Sequence, residues 1–135
     1  GVTLALAQAS RLTTIIDGHG SDVDSAAREF DSWCASAIRP WFDDHRHADA
    51  ERLRRWAGSD VDVTRPLPSD LIVSAGAVDD RVRRGAAPYA RMDALPGTLA
   101  AVEPLARNVF ESGWRPPVPD GPADLGEVCD AAVAA

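Results

Sequence analysis

Residues 21–57, SDVDSAAREFDSWCASAIRPWFDDHRHADAERLRRWA, decide the fold. Ala26, Phe30, Trp33, Cys34, Ala37, Ile38 and Trp41 recur at steps of three and four, the spacing that lines one face of an α-helix. Ser21 and Asp22 stand where N-caps stand. The pattern resumes through Ala48, Leu53 and Trp56, and Gly58 closes it. Pro40 lies inside the run. Its ring removes a backbone donor and crowds the preceding turn, which predicts a kink near 37–39.

The flanks read the same way. Residues 3–17 carry Ala5, Ala9, Leu12 and Ile16 at helical spacing, small residues first and large ones after, so that the first turns can approach a neighbour closely. Gly18 and Gly20 are expected to stop this helix. Residues 59–68 hold Pro66 and Pro68, which favour an exposed connection over a strand built on Val61 and Val63. Ser69 or Asp70 should cap a short helix through Leu71, Ile72, Ala75 and Val78. A second short helical stretch over 79–92 should be interrupted by Gly85 and Pro88. Pro96 and Gly97 mark a turn. A helix with Pro104 in its first turn then presents Leu105, Val109 and Phe110 and ends at Gly113. Residues 114–122 hold four prolines and read as a polyproline-like strap. Asp124 can cap a last helix ending at Val133. No alternation of strands and helices builds a nucleotide-binding sheet. The fold class expected is all-α: one irregular helical segment over 1–135, with a long Pro-kinked helix and an extended Pro-rich strap.

Composition narrows the function classes. At 135 residues, about two-thirds of the unfolded surface can be buried, enough for a core. With 45% apolar and 26% charged residues the chain has a globular rather than a disordered mix. The net charge is -7 and every basic residue is Arg. No basic stripe stands clear of acidic neighbours, which argues against nucleic acid. No apolar run approaches the length of a membrane span, and no leader pattern is present, so a cytoplasmic protein is expected. Cys34 and Cys129 are expected to be free thiols. The chain opens on Gly1 rather than Met and enters a helical apolar pattern at once. Ends of complete domains usually lie at the surface, so a segment of a longer protein is expected.

Four constellations could carry chemistry. In residues 43–51 a helix would put His45 and Asp49 on one face and Asp43, His47 and Glu51 on another. His45 and His47 then point apart, and no further Cys or His pair completes a metal site. A solvated face laced with ion pairs fits better. Trp33, Trp41, Trp56 and Trp114 could line a pocket, but at helical spacing Trp33 and Trp41 read as core anchors. Cys34 lies on an apolar face, where a thiol packs rather than reacts. His19 sits in a Gly-rich turn with no nucleophile beside it. Phosphate-binding glycine motifs are absent, as is a nucleophile elbow. No catalytic residue and no metal ligand is assigned.

Three stretches resemble a known family. The opening Gly1-Val2-Thr3-Leu4-Ala5-Leu6-Ala7-Gln8-Ala9 resembles the last FAD segment of the aromatic-hydroxylase-like flavoprotein monooxygenases. There a Gly-x-Gly turn leads into a helix of small and apolar residues. Phe30-Asp31-Ser32-Trp33-Cys34 through Ile38-Arg39-Pro40-Trp41 resembles the long helix that follows. Ser112-Gly113-Trp114-Arg115-Pro116-Pro117 resembles the tails of actinobacterial FAD-dependent oxidoreductases. The resemblance implies the C-terminal portion of a larger α/β flavoprotein. It implies that Gly1, Val2 and Thr3 offer backbone N–H groups to the pyrimidine edge of the flavin. The partner it implies is the N-terminal FAD-binding domain of the same parent, whose dinucleotide-binding strand–loop–helix is absent here. FAD would therefore bind the intact parent, reduced there by NAD(P)H, and this chain alone would bind little or none and be inactive. The other reading of the residues is a non-enzymatic helical interaction module, whose exposed apolar faces take a partner or a second copy.

Overall fold

The structure, a computed structural model, describes residues 2–117; of Val2 it describes the backbone alone. Every regular element among them is helical, and no strand forms. The elements are α1 (Val2–His19), α2 (Val23–Trp33), a π-helical turn (Cys34–Ile38), α3 (Arg39–Trp56), α4 (Ser69–Ala75), α5 (Asp80–Ala90), a 3-10 turn (Pro96–Ala101) and α6 (Glu103–Glu111). They fall into two compact units that divide after Phe42, inside α3. The predicted final helix over 124–133 and the end of the strap lie outside the described residues.

In the first unit α1 packs beside α2. Asp22 caps α2, its side chain accepting from the Ser25 amide at 3.1 Å. α1 runs through Gly18 and stops one residue later. Gly20 supplies the positive φ of 58° that turns the chain, and its amide returns to the Ile16 carbonyl. Gly18 therefore stays helical, because a single left-handed residue suffices to end a helix. Ile15 and Ala26 are buried. The predicted apolar face of α2 is only partly covered: Phe30 and Trp33 stack on each other with centroids 6.0 Å apart and remain half-buried.

The irregularity expected at Pro40 appears as the π-helical turn ending at Ile38. The Arg39 amide reaches back five residues to the Cys34 carbonyl. Ser36 Oγ donates to the carbonyls of Ser32 and Trp33. The widened turn meets the missing Pro40 donor by inserting a residue into the helical path.

The second unit is built around Leu67, α4 (Leu71, Ile72, Ala75), α5 (Val82, Ala86), Leu99 of the 3-10 turn, Val102, and α6 (Ala106, Phe110). Val61 and Val63 pack against this core from an irregular segment and form no strand. Glu103 ties that segment to α6: its carboxylate accepts from the Leu67 amide at 3.0 Å and pairs with Arg107, which also donates to the Arg65 carbonyl. Pro104 stands in the first turn of α6, and Gly113 follows the helix at φ 93°. The strap begins with Trp114 against Phe110, centroids 5.8 Å apart. Both Asp60 oxygens accept from Arg115, whose remaining donors reach the Phe110 and Trp114 carbonyls.

α4 and α5 depart from the sequence expectation. Ser69 and Asp70 do not cap α4; they are helical, Pro68 holds the N-cap position, and Val78 lies beyond the helix and is exposed. α5 is not interrupted by Gly85 or Pro88 but passes through both. Gly85 is there for contact. A Cβ at that position would lie 2.2 Å from Val102 Cγ1, so the missing side chain lets α5 meet Val102. Pro88 sits in the last turn, close before the helix ends. α5 ends in a Schellman pair, Asp93 N–H to Pro88 O and Met92 N–H to Tyr89 O, both 2.8 Å. Met92 takes the left-handed position usually given to Gly, at φ 61°.

Both features can be tested by chemical denaturation. Gly85→Ala should destabilise the protein by about 1–3 kcal/mol through overpacking, although helix propensity alone favours Ala by roughly 1 kcal/mol. In a Val102→Ala background the sign should reverse. A stabilising Gly85→Ala in the parent background would show that the close approach is not there. Met92→Gly should raise stability by about 1 kcal/mol by relieving the left-handed backbone; an unchanged midpoint counts against that strain.

Candidate functional site

Two places on the molecule combine polar groups with exposed surface. The first is α1. Leu4, Gln8, Arg11, Ile15 and His19 fall at steps of three and four, and each is half-buried or buried. This face meets α2 through polar groups. The Glu29 carboxylate accepts from Arg11 Nη2 at 2.8 Å and lies 2.7 Å from His19 Nε2. Gln8 Nε2 is 3.9 Å from Cys34 Sγ, a weak donation to a free thiol. The apolar stripe read from the sequence, Ala5, Ala9, Leu12 and Ile16, points elsewhere and is exposed. Leu6 joins it at 66% exposure. α1 thus gives its more polar face to its own unit and shows its apolar one.

The N-terminal end of α1 carries two of the three residues assigned to cofactor contact. Val2 opens the helix, Thr3 is exposed in its first turn, and Gly1 lies outside the described residues. The first amides of a helix have no partners within it, and the aligned peptide dipoles give that end partial positive charge. No acidic residue stands in the first turn, and Arg11 is the first charged side chain along α1. That end can receive an anionic or hydrogen-bond-accepting group without a carboxylate opposing it.

The second place is an open groove of about 560 Å³ on the second unit. Its walls are His45, Ala48, Asp49 and Arg52 from α3, Ser69, Asp70, Val73 and Ser74 from α4, and Tyr89 and Ala90 from α5. Behind it Asp44 Oδ2 accepts two hydrogen bonds, from Ser69 Oγ at 2.9 Å and Tyr89 Oη at 2.7 Å. Burial pushes the Tyr89 phenol up to about 12; the bond to Ser69 opposes the rise and the Asp44 carboxylate adds to it. Arg52 pairs with Asp49 at 2.8 Å and lies 3.7 Å from Asp70, which also binds Arg55. The groove carboxylates Asp49 and Asp70 face guanidinium groups.

The acidic–His stretch is dispersed by its helix. His45 and Asp49 line the groove together, as their spacing implies. His47 instead lies 3.4 Å from the Pro66 carbonyl, and Glu51 pairs with Arg54. Among the described residues no three His, Cys, Asp or Glu side chains converge as metal ligands do. No helix there is long and apolar enough to cross a membrane. Trp41 is buried, while Trp33, Trp56 and Trp114 are half-buried. The Asp44–Ser69–Tyr89 cluster went unread in the sequence. Its members are 25 and 45 residues apart, and no local pattern joins them.

No family model, curated protein or solved structure matches the chain.

The groove cluster yields a direct test. Tyr89 is the only tyrosine in the chain, so phenolate absorbance reports it alone. Its midpoint should lie near 12, against the ordinary 10.0. Because the folded value exceeds the unfolded one, the contribution to stability is complete below about pH 10 and is lost as pH rises from there toward 12. Asp44→Asn should lower the midpoint by removing the negative charge. A wild-type midpoint at the free-tyrosine value, with helicity intact by circular dichroism, would contradict the cluster.

Proposed function

We propose that this chain is the C-terminal helical part of a FAD-dependent oxidoreductase, in the simplest case a monooxygenase, and that it supplies structure rather than reacting groups. The observation that carries this reading is the two-sidedness of α1. One face is committed to α2 through Glu29, while Ala5, Leu6, Ala9, Leu12 and Ile16 remain exposed. A helix sandwiched between its own hairpin partner and a further layer needs two such faces. The resemblance names that layer: the FAD-binding domain of the same parent.

Support also comes from the end of α1. An acid-free first turn suits the electron-rich pyrimidine edge of a flavin, which becomes anionic on reduction. Val2 and Thr3, with Gly1 before them, would hold that edge through backbone N–H groups. The flavin would supply the redox chemistry. The residues of this chain would orient the ring and favour its reduced form. Arg115, clamped on Asp60, fixes the start of the Trp114–Pro117 stretch, which carries the tail resemblance.

A second reading is favoured by a specific observation. Leu6, Ile16, Val23 and Phe42 of the first unit are each at least half exposed. Such a surface also suits a helical interaction module with no enzymatic role.

The native polypeptide that contains this sequence separates the two. On the flavoprotein reading it purifies with the visible absorbance of bound FAD. Thr3→Glu then keeps the flavin but disfavours its reduced form, by about 1 kcal/mol for a charge at a helix end. A colourless native polypeptide that neither binds FAD nor quenches its fluorescence sinks the reading. The module reading predicts instead that Leu12→Asp with Ile16→Asp abolishes a stable assembly, seen by light scattering, while leaving the helical content unchanged. A chain that is monomeric before and after the substitutions removes the self-association form of that reading.

A further inference from the structure

We draw no further inference here: the strongest candidate, the exposed apolar face of α1 formed by Ala5, Ala9, Leu12 and Ile16, carries none beyond the reading above because nothing in the structure shows what covers it.

Discussion

The Glu29 carboxylate sets which way α1 faces. Arg11 and His19 lie two turns apart on one side of that helix, and each meets one oxygen of the same carboxylate on α2, Arg11 at Oε1 and His19 at Oε2. An ion pair this exposed contributes at most about 1 kcal/mol. With Ile15 buried on the same side, α1 cannot turn its apolar stripe toward α2 without giving up both the pair and the packing. Two helices side by side cover one face of each. The face chosen here is the more polar one, and the apolar stripe is left over as a direct consequence.

Pro40 imposes the second constraint. A proline inside a helix leaves one carbonyl without its donor and presses its ring on the turn before it. A sharp bend is one response. The π-helical turn is another, with the Arg39 amide bonding five residues back to Cys34. The run keeps its apolar side across the widened turn: Ala26 and Trp41 are buried, and Phe30, Trp33, Cys34, Ala37 and Ile38 are half-buried.

Local chemistry was legible and long-range chemistry was not. Asp22, Pro104 and Gly113 act where the sequence placed them, because capping and turn formation depend on a few neighbouring residues. Leu71, Ile72, Ala75 and Phe110 are core residues as their spacing implied. Gly85 misled for a reason of its own. In sequence a mid-helix glycine reads as a break, whereas here its missing Cβ is what admits Val102. Ser69 likewise has the identity of a cap but serves as a donor to Asp44, 25 residues away. Which of two plausible faces α1 buries depended on Glu29, ten residues beyond His19, and periodicity alone favoured the other face. The assignment of Gly1, Val2 and Thr3 came from resemblance, and no spacing within the chain could have produced it.

The polar groups of the second unit bear on what kind of part this chain plays. A reacting nucleophile works within hydrogen-bond reach of a base that a third group orients. In the groove the carboxylates and hydroxyls meet guanidinium groups or one another. Asp49 and Asp70 face Arg52, Asp70 also holds Arg55, and Ser69 and Tyr89 both donate to Asp44. Such matching ties α3, α4 and α5 together. At α1 the balance is the other way: apolar side chains lack a cover, and the first amides lack acceptors within their own helix. A surface wants a neighbour, and a helix end wants an electron-rich group. On the proposed flavoprotein reading, the FAD-binding domain with its cofactor would supply both.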